Sequence, residues 1–204
     1  MLWLFCCYLL EEQHFVFPSR SHMRAGRERE SQLHTAAFEV TSGSIEETQA
    51  LGERLGRLLQ AGDVVALRGE LGSGKTTLIQ GIARGLGRDP ASVKSPTFVL
   101  MREYPGEVPL VHVDGYRLEG ALDASWLDLE LIFSPHKITV IEWAERFTNL
   151  LPEEIVDVQL AHVSTNRRQL VLSAVGARGQ DLLAQLRKER ETVTPQGRVD
   201  GPRD

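Results

Sequence analysis

From residue 45 to 59 the leucines fall at Leu51, Leu55, Leu58 and Leu59, with charged residues and glycines between them, which is the spacing of one helical face. Ser44 stands where an N-cap belongs, and Glu46 and Glu47 fall in the first turn, where the helix dipole favours negative charge. "AGD" breaks the pattern. "VVAL" (64–67) is then a short unbroken apolar run of the kind buried on both faces of a parallel sheet. "TTLIQGIARGLG" next brings Leu78, Ile79, Ile82 and Leu86 onto one face, and Gly87 with Pro90 ends that second helix.

Five further segments read as strands: 97–104, 108–114, 137–143, 154–163 and 168–175. The last two alternate and are separated by the polar "STNR", which predicts an antiparallel hairpin appended to a parallel core. "GQDLLAQLRKERE" (179–191) is a candidate terminal helix, followed by a polar end that reads as disordered.

A chain of 204 residues with 42% hydrophobic content suffices for one well-buried core, and no composition shift inside 38–176 suggests a second domain. Residues 1–37 read as a flexible leader, with Met23 a candidate start. A lipidated cysteine pair or a membrane-surface segment are the functional alternatives for its first part. Residues 177–204 hold the terminal helix and tail. The net charge of −5 argues against a broad basic surface for nucleic acid. Cys6 and Cys7, the only cysteines, leave the body of the chain without thiols for a disulfide framework, which fits a reducing, cytoplasmic setting. The opening "MLWLFCCYLL" is apolar for ten residues, where a spanning helix needs roughly 20, so neither export nor membrane insertion is expected.

The chemistry centres on "GELGSGKTTL" (69–78), which fits G-x-x-x-x-G-K-[ST] with Gly69, Gly74, Lys75 and Thr76 at the fixed positions. The apolar strand before it and the amphipathic helix after it are the context a phosphate-binding loop requires. Gly72, Ser73 and Gly74 supply a turn that can aim backbone N–H groups at phosphate oxygens, because glycine has no Cβ to block the approach. The helix N-terminus adds partial positive charge, Lys75 reaches the outer phosphates, and the Thr76 hydroxyl suits Mg²⁺. The expected fold class is therefore α/β and P-loop NTPase-like: a mostly parallel central sheet flanked by helices, with the antiparallel hairpin appended.

Hydrolysis needs further groups to hold metal and orient water. Asp114 follows "LVHV" and Glu142 follows "ITVI", so both acids stand at the carboxyl ends of apolar strands, the ligand-binding edge of a parallel sheet. Either can be the second-strand acid; the bland reading is a solvated acid capping a strand. "SPTF" (95–98) lies where segments that sense a terminal phosphate occur, or is a proline turn. Lys94 reads as a solvated charge. Trp143 reads equally as core or as a ring that stacks on a base or closes the pocket.

The ordered series "TQALGERLG", "GELGSGKTTL", "VKSPTFVL", "VHVDGYRL" and "VIEWAER" followed by "LP" resembles the TsaE (YjeE-type) ATPases of bacterial tRNA threonylcarbamoyladenosine biosynthesis, over about residues 44–175. The resemblance implies a small P-loop fold that binds ATP or ADP with Mg²⁺, hydrolyses ATP weakly, and acts with the partner subunits TsaB and TsaD, touching tRNA only through that complex. Threonylcarbamoyl transfer would belong to TsaD, and this subunit would use ATP turnover to reset the assembly.

By the same resemblance, residues from Gly72 through Ser73, Gly74, Lys75 and Thr76 to Thr77 would contact phosphates, and Thr76 with Glu142 would hold Mg²⁺. Asp114, in the "HxDxYR" element, would support metal or water. Thr48 would lie near the adenine side, and Arg168, or Arg167 if the alignment slips, would be a further nucleotide contact. Lys75, Asp114 and Glu142 are the expected catalytic set. Gly115 stands where a larger apolar residue is common and Ala144 where proline is. "DASWLDLELIF" lacks a usual glycine, which leaves the path of the helix after the switch segment open. The alternative function is a stand-alone small-molecule or nucleotide kinase, disfavoured because "RLEGALDASW" offers no arginine-rich lid. A nucleotide-gated binding module without turnover is a third reading.

Overall fold

The structure, a computed structural model, describes residues 38–118 and 128–192. The leader, the polar end after residue 192, and most of the stretch weighed as a kinase lid lie outside the described residues.

Seven strands form one sheet in the order β1-β7-β6-β2-β5-β4-β3. They are β1 (Phe38–Ser42), β2 (Val64–Arg68), β3 (Met101–Tyr104), β4 (Leu110–Asp114), β5 (Ile138–Glu142), β6 (Ile155–His162) and β7 (Arg168–Val175). The four central strands, β6, β2, β5 and β4, run parallel; β7 pairs antiparallel with β6 and with β1 on one side, and β3 antiparallel with β4 on the other. The architecture is the α/β class that the pattern of apolar runs predicts, hairpin included. Two details differ. The strand expected over 97–104 begins only at Met101, because Leu100 takes a left-handed conformation (φ 62°) that no strand can continue through. The edge strand β1 has no counterpart among the predicted segments.

Alternation along the strands divides the core into two layers. Val65 and Leu67 of β2 point to a large cluster with Leu51 and Leu55 of helix α1 (Ile45–Leu58) and Leu78, Ile79 and Ile82 of helix α2 (Lys75–Gly85). Val64 and Ala66 point the other way, to a smaller cluster with Ile141, Phe147 and Ile132 of the short helix α3 (Leu129–Ile132). The terminal helix α4 (Ala177–Thr192) puts Leu182, Leu183 and Leu186 into the large cluster. Arg178 fixes it there through two bonds to the Asp63 carboxylate, Nε at 3.1 Å and a terminal nitrogen at 2.8 Å.

Ser44 caps α1 as expected, its hydroxyl accepting from the Glu47 N–H at 3.2 Å. Helices α1 and α2 cross at backbone distance. A Cβ on Gly52 would lie 2.3 Å from Leu78 O, and one on Gly81 2.2 Å from Gln49 O, so only glycine permits this approach. Helix α1 thereby becomes a rigid backing for the loop-bearing helix. Among the described residues no helix is long and apolar enough to cross a membrane.

Candidate functional site

The site lies where the parallel strands end. Between β2 and α2 the loop turns through Gly72 (φ 77°) and Gly74 (φ 106°). At Gly74 a side chain would be strained by the backbone angle and would also press on Arg168, whose Nε lies 3.3 Å from the position of the missing Cβ. No side-chain oxygen caps α2. The first-turn amides at Lys75, Thr76 and Thr77 therefore point out of the helix end without intrahelical acceptors, an arrangement chemically suited to an anion.

Lys75 is 4% exposed. Its ammonium donates to Gly69 O at 2.7 Å and Glu70 O at 2.9 Å, and rests 4.0 Å from the centre of the Trp143 ring. Burial lowers its pKa from the usual lysine value, and the negative charges of Glu142, Glu145 and Asp114 oppose that shift in decreasing order. The cation is thus kept in a partly dry place by carboxylates around it, poised toward whatever anion enters the loop.

Thr76, on the first turn of α2, donates to Glu142 Oε1 at 2.8 Å across to the end of β5. The same oxygen lies 3.0 Å from His112 Nε2 of β4. Asp114 is level with Glu142 in the parallel register of β4 and β5, which places the two backbones about 4.8 Å apart. Their carboxylates have different partners. Asp114 Oδ2 accepts from the Ser95 hydroxyl and, at 2.6 Å, from Thr97 Oγ1, while Oδ1 accepts from the Tyr116 N–H at 2.9 Å. "SPTF" is therefore tied to Asp114, with Phe98 85% exposed at its tip and Arg117 stacked over that ring at 4.5 Å.

Trp143 directly follows Glu142 in a left-handed conformation (φ 58°), a costly one for a bulky residue, on the order of 1–3 kcal/mol. Its half-buried ring meets Lys75 on one side and Tyr116, 5.1 Å away, on the other. Of the two arginines considered, it is Arg168 that stands beside the loop. Arg167 belongs to the hairpin turn, its N–H donating to Ser164 O at 3.2 Å. Thr48 is fully buried and its hydroxyl is engaged, 2.7 Å from Ser42 Oγ and 3.1 Å from Ser44 O. It fastens β1 to α1. Ser73 is buried, and its hydroxyl has no partner among the described residues.

The structure thus brings Gly72, Ser73, Gly74, Lys75, Thr76, Thr77, Asp114, Glu142, Trp143 and Arg168 to one sheet edge. Two groups that the sequence did not assign stand with them. His162 of β6 reaches to within 3.6 Å of where a Cβ on Gly72 would be, and His112 bonds Glu142. For His112 the signal was available: it stands two residues before Asp114 in a strand, hence on the same face.

Comparison with known proteins points to one family. The family model described as "Threonylcarbamoyl adenosine biosynthesis protein TsaE" matches residues 42–170. A tRNA threonylcarbamoyladenosine biosynthesis protein TsaE of Streptomyces coelicolor is 43% identical over 136 residues, 63% of this chain and 90% of the relative. A protein of the same name from Bacillus subtilis is 36% identical, over 69% of this chain and 88% of the relative. Among solved structures, Bacillus subtilis YdiB superposes with a TM-score of 0.65 at 29% identity, covering 76% of this chain and 97% of YdiB.

Proposed function

The chain belongs to the TsaE family, and from that premise we propose that it is the Mg²⁺-dependent ATP-binding and hydrolysing subunit of tRNA threonylcarbamoyladenosine biosynthesis, acting on a TsaB–TsaD complex. The observation that carries the reading is the Thr76–Glu142 contact of 2.8 Å beside an uncapped, glycine-turned helix end.

The donors fit Mg²⁺. Both are hard oxygens, and neighbouring ligands in an octahedron with bonds of about 2.0–2.1 Å stand roughly 3 Å apart, close to the separation here. No cluster of three or more His, Cys, Asp or Glu able to hold a metal occurs among the described residues. That suits a cation completed by phosphate oxygens and water rather than caged by protein. Thr76 and Glu142 would hold it, and when bound it supplies charge neutralisation on the phosphates. The amides of residues 72–77 would bind the phosphate oxygens. Lys75 would leave the Gly69 and Glu70 carbonyls for the outer phosphate. Glu142 would also orient water. Asp114 would act through the segment it holds, coupling the 95–100 stretch to nucleotide state, and Trp143 with Tyr116 would close the phosphate side. Contact with tRNA would come only through the complex, as the net charge of −5 suggests.

ATPase measurement with and without purified TsaB and TsaD tests the reading. Marked stimulation by the pair is expected. A phosphorylated small-molecule acceptor would overturn it in favour of a kinase, and tight ATP binding with no turnover in either condition in favour of a nucleotide-gated binding module.

A further inference from the structure

His112 sits in the middle of β4 and is wholly buried. Alternation places His112 and Asp114 of β4, and Val140 and Glu142 of β5, on the face of the sheet that looks toward α2. His112 is level with Val140, one pleat behind Glu142, and its Nε2 stands 3.0 Å from Glu142 Oε1. A carboxylate only accepts, so the ring proton of this contact is on Nε2. The other nitrogen, Nδ1, is buried with no partner among the described residues. An apolar side chain would fill this place among Leu110 and Val140 without leaving a polar atom unpaired, so the ring's one hydrogen bond is what the imidazole contributes.

The ring's other surroundings keep it aimed. Tyr104 of β3 stacks on it with centroids 6.4 Å apart and planes 30° apart. The Tyr104 hydroxyl is fixed in turn by the Lys94 backbone, accepting from its N–H and donating to its carbonyl at 3.3 Å each. Glu142 Oε1 thus has two donors: Thr76 from the loop and His112 from the interior. If Thr76 turns a lone pair to a cation, the bond from His112 still holds the carboxylate in place.

We propose that His112 is a positioning residue that fixes Glu142 toward Thr76 and thereby sets the affinity for the divalent cation rather than for the nucleotide. The proposal rests on the Mg²⁺–ATP function given above. Calorimetric ATP titrations of the full chain, in EDTA and across a Mg²⁺ series, separate the two quantities. In H112N the shorter amide cannot reach Glu142, and the Mg²⁺ concentration needed to tighten ATP binding should rise about 10-fold or more, while ATP affinity in EDTA stays within about twofold. In H112Q, whose amide can replace Nε2–H, it should stay within about threefold of the native protein. In an E142Q background, H112N should add nothing.

Equal behaviour of H112N and H112Q, an equal loss in EDTA, or a full effect in the E142Q background would each overturn the assignment. A native protein with no Mg²⁺-dependent ATP binding removes the function above and this inference with it. Native Mg²⁺ dependence that H112N leaves untouched removes only the inference. Should H112N not fold, the native protein answers alone: with nitrogen-15 in its histidines, the His112 ring should respond to Mg²⁺ added to the ATP complex and not to ATP in EDTA. A ring indifferent to Mg²⁺ overturns the proposal.

Discussion

Asp114 and Glu142 occupy the same level of neighbouring strands, yet one is built into the frame of the molecule and the other into its edge. The partners of Glu142, Thr76 and His112, belong to a helix and a strand. Those of Asp114 are Ser95, Thr97 and the Tyr116 N–H, all outside regular elements. The segment it ties down exposes Phe98 and Val99 and ends at left-handed Leu100, whose carbonyl accepts the Asp114 N–H at 2.9 Å. Few buried apolar groups and one strained residue are the marks of a region that opens at low cost. Sequence position alone makes the two acids equivalent; their hydrogen bonds tie one to a helix and a strand and the other to a loop, which is the ground for proposing different roles for them.

The largest effect should come from the cation that both acids surround. Lys75→Ala removes a charged donor to phosphate, so ATP affinity measured by calorimetry should fall about 10- to 100-fold, the equivalent of roughly 1.5–3 kcal/mol. Thermal stability should not fall with it, because the variant also sheds the cost of burying the ammonium. Unchanged ATP affinity would remove the loop from the chemistry. Next comes the contrast between the acids. Glu142→Gln should keep ATP binding in EDTA and slow hydrolysis by about 100-fold. Asp114→Asn should leave the Mg²⁺ dependence of binding near native, but raise amide exchange and protease cutting in residues 95–100. If the two variants exchange these phenotypes, the roles are reversed.

The frame itself can be loosened. In Gly81→Ala the added Cβ would meet Gln49 O at 2.2 Å, and so close a backbone contact can be relieved only by moving α1 off α2. A stability loss of about 1–3 kcal/mol is expected, read as a lower midpoint in denaturant, and it should reach the Thr76–Glu142 half of the site before the Asp114 half. A native midpoint would mean that the helices are not held this closely.

The amphipathic helices, the loop, both strand-end acids and the closing hairpin were legible because each rests on a local period or a fixed spacing. What was illegible depends on neighbours distant in sequence. In "LGERLG" and "GIARG" the glycines look like helix weakeners until the opposing backbone is seen against them. Strand β1 is five residues, and the alternation of Phe38, Glu39, Val40 and Thr41 is too short to stand out until its partner β7 is seen beside it. At Gly115 the neighbour is Phe147: a Cβ there would lie 2.6 Å from that ring. The different partners of Asp114 and Glu142 were likewise out of reach, since they are set by which segment crosses each strand end.

A third carboxylate provides the control for this comparison, and the smallest effect. Asp157 of β6 is level with Ala66 of β2, on the sheet face turned away from α2, and accepts from Arg68 Nε at 2.6 Å. Burial raises its pKa above the usual carboxylate value, and the attraction of Arg68 only partly offsets this. With a folded-state pKa above 3.8, its contribution to stability is fully present below 3.8 and is lost as pH rises through the folded-state value. Ionised, the buried carboxylate is therefore a cost that its ion pair with Arg68 only partly offsets. Asp157→Asn should leave stability at about pH 7 within roughly 1 kcal/mol of native. Toward about pH 4 the native protein should gain on the variant, because only the native protein takes up the proton. ATP affinity should be the same in both across that range, since Asp157 faces away from the loop. Urea unfolding at the two pH values measures the first expectation and calorimetry the second. An ATP affinity that followed Asp157 would mean that the two faces of the sheet are coupled, and that the loop's electrostatics are not set by Glu142, Glu145 and Asp114 alone.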